Sequence, residues 1–150
     1  MDKYDYIVNT NFTDYAFQSQ GPNGTIEKIA RFSLIDIGLY NFGFGDYNPL
    51  TGKVTDTITS NNKDVDKIMG TVGSIIFDFT TVYYNAEILV QGTTPARTRL
   101  YQAQIGKHWE SINIIFEVMG FKEGKWTYFE KGVNYEAFTG WRKNNFSEIN

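Results

Sequence analysis

The chain has 150 residues, which is room for one domain with a single hydrophobic core. Its 14 basic and 17 acidic residues give a net charge of −3, so it lacks the basic excess of proteins that bind duplex nucleic acid through phosphates. The absence of cysteine excludes disulfides, thiol nucleophiles and cysteine-ligated metals, and a single histidine excludes a multi-histidine metal site within one chain. We therefore expect one domain over residues 1–150, with no metal and no cofactor.

The N-terminal segment has no apolar core of the kind found in signal peptides, and no stretch approaches 18 apolar residues. These features predict a cytoplasmic protein that does not enter a membrane. Aromatic residues make up 17% of the chain. Most of these rings must lie in the core of a domain of this size, and the others are candidates for ligand stacking or for an oligomer contact.

Alternating apolar and polar residues in the first sixty positions favour four antiparallel strands. The segments with this pattern are Tyr4–Asn9, Tyr15–Ser19, Thr25–Asp36 and Leu39–Asp46, with a polar return strand at Lys53–Thr59. Gly21–Gly24 and Asn48–Gly52 have the composition of turns. This part of the chain is therefore expected to contribute strands to an antiparallel sheet.

From Val65 to Tyr83 the apolar residues recur at i, i+3, i+4 and i+7, which predicts an amphipathic helix of about five turns. Asn61 and Asn62 precede it as candidate N-caps. Gly70 and Gly73 within the helix suggest close packing against a sheet.

The second half of the chain predicts a short strand at Ala86–Gln91 and a second helix, capped by Thr94, from Pro95 to about Lys107. A long strand is predicted at Ile112–Phe121, a hairpin turn at 122–125 and a return strand at Trp126–Phe129. The segment from Tyr135 to Trp141 is either a last strand or a packed extension. The predicted class is α+β, with a largely antiparallel sheet of about seven strands in the order ββββ-α-β-α-ββ.

The start of the second helix is the candidate binding site. Arg97 and Arg99 lie near its N-terminus, where the helix dipole disfavours cations unless an anion is bound. The hydroxyls of Thr93 and Thr94 and the first backbone N–H groups point to the same place, so we expect a phosphate or carboxylate there. The alternative is that one or both arginines pair with an internal carboxylate such as Asp78, Glu87 or Glu117.

Aromatic residues near this segment or in the glycine-bearing strand are candidates for stacking on a flat ligand. The rings assigned to the site are those of Tyr40, Phe44 and Tyr101.

No catalytic residue is predicted. His108 lies between Lys107 and Trp109 at the end of the second helix, where a cation is favourable without any role in catalysis. No hydroxyl nucleophile has a base at a recognisable spacing. We therefore expect a binding protein rather than an enzyme.

Four segments carry a resemblance to a known family: Gly21–Gly24, Tyr40–Asp64, Gly92–Tyr101 and Phe129–Phe138. The most specific is the block GTTPARTRLY at Gly92–Tyr101. Together they resemble an uncharacterised family of short, stand-alone bacterial proteins, a domain of unknown function. The resemblance implies an autonomous cytosolic protein and brings no activity, cofactor or assigned site.

The function expected from these observations is non-enzymatic binding of a phosphate-bearing, nucleotide-like small molecule, with a role in sequestering or sensing a nucleotide signal. Two alternatives stay open. One is a protein-interaction module, such as an inhibitor or antitoxin, and the other is a transferase or hydrolase that uses a phosphate-bearing substrate. Because antiparallel sheets expose edges that need covering, we also expect a homo-oligomer, by default a dimer.

Overall fold

The computed structural model describes residues 2–55 and 62–143, and the chain divides into two compact units. Unit 1 comprises Met1–Ser33 and Asn41–Tyr83, and unit 2 comprises Leu34–Tyr40 and Tyr84–Asn150. Each unit is described by itself, and the single domain expected over residues 1–150 stays a prediction. The described residues form an α+β protein with nine strands and three helices, against about seven strands and two helices predicted.

The strands of the first half are β1 (Ile7–Val8), β2 (Asp14–Gly21), β3 (Gly24–Asp36), β4 (Leu39–Asn48) and β5 (Lys53–Thr55). They neighbour one another in the order β1-β2-β3-β4, with β5 on β4. The pairs β1–β2, β2–β3 and β4–β5 are antiparallel. The predicted antiparallel arrangement is confirmed for these pairs, and positions 56–59 of the return strand lie outside the described residues.

The residues of the turn between β2 and β3 determine how these two strands pair. Gly21 pairs with Gly24, which leaves Pro22 and Asn23 as the turn. Gly24 has a φ of 84°, a conformation that glycine adopts without steric cost.

The predicted strand Tyr4–Asn9 is wrong in extent, since only Ile7 and Val8 of this segment pair with another strand. The backbone N–H of Tyr4 donates instead to the hydroxyl of Thr71, at 2.8 Å.

Helix α1 (Val65–Val82) confirms the long amphipathic helix. The residues that it buries are the apolar ones at helical spacing, including Ile68, Val72, Ile75 and Phe79. Gly70 is buried, but Gly73 is exposed, so the expected close packing applies to the first glycine only.

The predicted N-cap of α1 is wrong, because Asp64 occupies that position. Asn62 is 3% exposed and its amide donates to the Ser19 hydroxyl at 3.0 Å and to the Gly24 carbonyl at 2.8 Å. Its side chain therefore stabilises the end of the β2–β3 hairpin. These contacts are long-range in sequence, so a local capping pattern does not reveal them. Asn61 lies outside the described residues.

The elements of the second half are β6 (Glu87–Val90), α2 (Pro95–Lys107), α3 (Trp109–Ile115), β7 (Phe116–Lys122), β8 (Lys125–Tyr128) and β9 (Ala137–Arg142). Their strands follow the order β6-β9-β7-β8, and each neighbouring pair is antiparallel. Strand β9 is thus central in unit 2, so the segment Tyr135–Trp141 contributes a strand and is not only a packed extension.

The predicted strand Ile112–Phe121 is wrong in its first four residues, which belong to α3. The spacing of Trp109, Ile112 and Phe116 fits a helix as well as the run Ile112–Phe116 fits a strand, so periodicity alone could not decide. The ring of Trp109 lies 4.7 Å from that of Phe129, and this tertiary contact is available to the helical form.

One face of the unit 2 sheet is buried and the other is partly open. Ile88, Val118 and Phe138 have neighbouring positions on one face and are at most 8% exposed. Their neighbours in sequence point to the opposite face, because side chains alternate along a strand. That second face is only partly covered, as the half-buried side chains of Leu89, Met119 and Trp141 show.

Candidate functional site

The connection from β6 to α2 forms the predicted helix start. Thr94 has an extended backbone, and its hydroxyl accepts the backbone N–H of Arg97 at 3.1 Å. Pro95 occupies the first helical turn, where its lack of an N–H has no cost. The Arg97 N–H is therefore already engaged, whereas the hydroxyl proton of Thr94 can still be donated.

Gly92 brings the backbone against the first turn of α2. A Cβ at this position would come within 2.5 Å of the Thr98 nitrogen and 2.6 Å of the Arg97 Cβ, so only glycine fits. The Gly92 N–H donates to the Thr98 hydroxyl at 3.0 Å. The start of α2 is thus tightly bound to the end of β6.

The two arginines differ in exposure: Arg97 is half-buried and Arg99 is exposed. Residues two apart on a helix point about 200° from each other. The first turn of α2 contains no acidic residue. Among residues 2–55 and 62–143, Arg99 has no ion pair, so its charge stands near the positive end of the helix without compensation.

Asp78, Glu87 and Glu117 are the three carboxylates considered as internal partners for these arginines. Asp78 lies on α1 in unit 1 and accepts a hydrogen bond from the Tyr6 hydroxyl. Glu87 and Glu117 lie on β6 and β7 in unit 2. Within the part of the chain that the structure describes, none of the three forms an ion pair.

The three predicted stacking rings are in different surroundings. Phe44 is 6% exposed and stacks on Phe17 in the core of unit 1, at 6.0 Å between centroids. Tyr101 is 7% exposed on α2. Tyr40 is half-buried in unit 2. Tyr40 is thus half-buried, whereas Phe44 and Tyr101 are buried. Thr93, which precedes the Thr94 cap of α2, is exposed.

His108 ends α2 and begins α3. The backbone N–H of His108 donates to the Gln104 carbonyl at 3.1 Å, and His108 is half-buried. Among the described residues, no group of three or more His, Asp and Glu side chains comes together as a metal site would require.

A groove that the sequence did not reveal lies in unit 2. It has a volume of about 630 Å³, within the range of roughly 300–1,000 Å³ typical of small-molecule sites. Its wall is mainly apolar and aromatic, and the residues that line it are Leu39, Tyr84, Asn85, Glu87, Leu89, Met119, Trp126, Thr139, Trp141 and Arg142. None of the predicted site residues belongs to this wall.

Most of the groove lies on the partly open face of the sheet. Leu89 and Met119 are the partners of Thr139 on either side of β9. Glu87 is likewise the partner of Trp141. In the sequence, the alternation of Ala137, Thr139 and Trp141 indicates that these three residues share one face of a strand. The residues that pair with Thr139 lie 50 and 20 positions earlier in the chain, and no local pattern reveals this pairing.

The protein is thus an α+β protein with an antiparallel sheet, a groove on the sheet of unit 2 and an arginine-bearing helix start after β6. The chain belongs to a family of unknown function, DUF6934, whose model matches residues 1–143. This confirms the resemblance to an uncharacterised family. No curated protein and no solved structure matches the chain. Among the helices of the described ranges, none is long and apolar enough to cross a membrane.

Proposed function

We propose that the protein is a non-enzymatic binding protein for a phosphate-bearing, nucleotide-like small molecule, held by its phosphate at the start of α2. One observation carries the proposal: the Arg99 guanidinium is exposed near the positive end of a helix and has no ion pair among the described residues. A bound phosphate would supply the missing negative charge. The helix dipole and the first N–H groups of α2 act in the same direction.

The donors available at this place fit a phosphate. The Thr94 hydroxyl accepts the Arg97 N–H and keeps its own proton for a ligand oxygen. Thr93 is exposed beside it. A guanidinium can offer two parallel N–H groups to a phosphate, which a lysine cannot do. The base or another flat ring would lie against Tyr40, which is half-buried, whereas Phe44 and Tyr101 are buried.

The test is calorimetric titration with mono-, di- and cyclic nucleotides and with inorganic phosphate. Replacing Arg99 by Ala is expected to weaken nucleotide binding about tenfold or more, since hydrogen bonds to charged groups contribute roughly 1.5–3 kcal/mol. Arg99→Lys should recover part of the affinity. Lys107→Ala removes the same charge from the opposite end of α2 and is the matched control.

Binding that is unchanged in Arg99→Ala and in Arg97→Ala, or no binding of any nucleotide, would overturn the proposal. Chromatography of the released ligand separates it from the alternative of a transferase or hydrolase, because a binding protein returns the nucleotide intact. The proposed role in sequestering or sensing a nucleotide depends on this result.

A second candidate function, a protein-interaction module, is favoured by the end of β3 and the turn that follows it. Leu34 and Ile35 in β3 are 63% and 52% exposed, and Ile37 in the turn to β4 is 99% exposed. Three neighbouring apolar side chains at the tip of a hairpin are suited to a contact with a second copy of the chain. Replacing Ile37 by Ser should shift a dimer to monomer in sedimentation, and Leu50→Ser, an equally exposed turn position, should not.

A further inference from the structure

The groove on the sheet of unit 2 has a polar end. On the groove face, Glu87 on β6 is paired with Trp141 on β9. Asn85 lies two residues before Glu87, and Arg142 directly follows Trp141. These four residues line the groove, and they include every charged or amide side chain of its wall. We call this part of the wall the polar end.

The rest of the sheet face that lines the groove is apolar. Leu89 and Met119 are the partners of Thr139 on either side of β9, and Trp126 on β8 lies beyond them and is 41% exposed. Leu89, Met119 and Trp126 form what we call the apolar end. The Thr139 hydroxyl lies between the two ends.

The strand register separates the two indole rings by more than the width of one ring. Trp126 is paired with Phe121, and Phe121 is paired with Ala137, which is four residues before Trp141. Two strand spacings of about 4.8 Å and four residues of about 3.3 Å place the backbones of Trp126 and Trp141 about 16 Å apart. A ligand that contacts both indoles therefore needs two parts.

The charges of the wall favour an uncharged ligand. The wall has one carboxylate and one guanidinium, both at the polar end. Across residues 2–55 and 62–143, the Glu87 carboxylate has no hydrogen bond and no ion pair, so it is not bonded to Arg142. The Arg142 guanidinium lies 5.7 Å from the ring centre of Tyr84, another wall residue. A charged group at this end would meet a like charge together with an opposite one.

The polar side chains at this end match a ligand with several hydroxyl groups. A carboxylate accepts hydrogen bonds, a guanidinium donates them, and the Asn85 amide does both. A hydroxyl also donates and accepts, so neighbouring hydroxyls can use all three groups. The C–H groups on the face of a sugar ring pack well on an indole such as Trp141, because the face of an aromatic ring is partly negative. The polar end therefore suits a sugar ring.

We infer that this groove binds a neutral glycoside, a sugar joined to a flat apolar ring. The sugar lies at the polar end against Trp141, with its hydroxyls bonded to Asn85, Glu87 and Arg142. The flat ring lies at the apolar end against Trp126. The volume of about 630 Å³ is of the size that holds such a ligand. Because glycoside hydrolysis normally requires two carboxyl groups and the described wall has one, the groove binds the glycoside without cleaving it.

Three uncharged probes test this assignment on the unaltered protein. Phenyl β-glucoside carries both parts, methyl β-glucoside lacks the aromatic ring, and phenol lacks the sugar. Calorimetry and tryptophan fluorescence follow binding. We expect phenyl β-glucoside to bind about tenfold more tightly than either of the others, because it alone contacts both ends. Adenosine, in which a flat base replaces the phenyl ring, distinguishes a nucleoside from an aryl glycoside as the ligand.

Variants then assign the two ends. Trp126→Ala should weaken phenyl β-glucoside severalfold and leave methyl β-glucoside unchanged. Its control is Tyr128→Ala, on the same strand but outside the wall and 62% exposed. Glu87→Gln should weaken both glucosides and leave phenol unchanged, and Glu123→Gln in the exposed turn after β7 is its control. Circular dichroism confirms that each variant is folded.

The inference is overturned if phenol binds as tightly as phenyl β-glucoside, if no glycoside binds, or if neither Trp126→Ala nor Glu87→Gln changes the affinity. The groove and the start of α2 share no residue, so Arg99→Ala should leave glycoside binding unchanged. Salt gives a second distinction, because it screens the binding of a charged nucleotide and leaves that of an uncharged glucoside unaffected. Failure of one proposal is therefore distinguishable from failure of the other.

Discussion

The rings of Phe32 on β3 and Phe79 on α1 are parallel to within 1°, with their centroids 3.8 Å apart. Both side chains are buried, and Phe79 has no exposed surface. The pair joins the helix of unit 1 to its sheet. Tyr83, one turn further along, also stacks on Phe79, at 4.9 Å between centroids.

Replacing Phe79 by Ala should lower the free energy of unfolding by about 3–5 kcal/mol, since it removes a fully buried ring and leaves a cavity. Phe77→Ala is the control on the same helix, because Phe77 is 42% exposed. The control should cost about 1 kcal/mol or less. Urea denaturation measures both, and equal losses in the two variants would contradict the structure.

Tyr15 carries a buried hydroxyl with no hydrogen bond to any described residue, and its side chain is 2% exposed. Tyr15→Phe removes that unsatisfied group and should raise the free energy of unfolding by about 1 kcal/mol at neutral pH. Tyr128→Phe, at a ring that is 62% exposed, should have no measurable effect. A loss of stability in Tyr15→Phe would show that the hydroxyl has a partner.

The same residue predicts a loss of stability in alkali. Burial, with smaller contributions from Asp78, Tyr6 and Tyr83, raises the pKa of Tyr15 to about 12. In the unfolded chain the pKa of a tyrosine is about 10. Between these values the folded protein binds more protons than the unfolded one, so the contribution present below about pH 10 is lost as the pH rises toward 12. The free energy of unfolding should fall less steeply over this interval in Tyr15→Phe than in the unaltered protein.

Gly120 and Gly106 should respond to alanine in opposite directions. A Cβ on Gly120 would overlap the ring of Tyr135. That ring is 6% exposed, and its hydroxyl accepts the Glu130 N–H at 2.9 Å, so it has little freedom to move. Gly120→Ala should therefore destabilise the protein by about 1–3 kcal/mol.

Gly106 lies within α2 with no atom inside 4 Å of the added Cβ. Gly106→Ala should stabilise the protein by up to about 1 kcal/mol, because alanine loses less backbone entropy in a helix. Thermal unfolding of the two variants side by side checks both signs. A stable Gly120→Ala protein would contradict the described packing of β7.

Thr94→Ala removes the hydroxyl that caps α2 and should cost about 1 kcal/mol. Thr94→Ser keeps the oxygen and should have little effect. Amide exchange in the first turn of α2 should increase in the Ala variant only. Unchanged exchange would indicate that another group satisfies the Arg97 N–H.

Both long helices were predictable from local sequence. The apolar spacing of α1 persists over 18 residues, and its buried face follows that spacing. The dipeptide Thr94-Pro95 predicts the first residue of α2, because a hydroxyl cap and a proline act through covalent neighbours. The Gly21–Gly24 turn was predictable for the same reason.

The short apolar run at Ile112–Ile115 and the pairing of β9 were not predictable in this way. Four residues fit a helix and a strand equally well, and a contact with Phe129 is available only after folding. The groove depends on the same long-range pairing. Glu87, Trp141 and Glu117 come from strands separated by tens of residues, and only the register brings them into one row.

Apolar periodicity, helix caps and turn residues act over a few positions, so they can be identified from local sequence. They specify the helices and hairpins of this chain. The charges that meet at a site depend on strand order and register, which follow from the burial of whole faces at once. The folding of the whole sheet therefore places a threonine hydroxyl and two carboxylates on one surface, although no single segment of the chain contains all three.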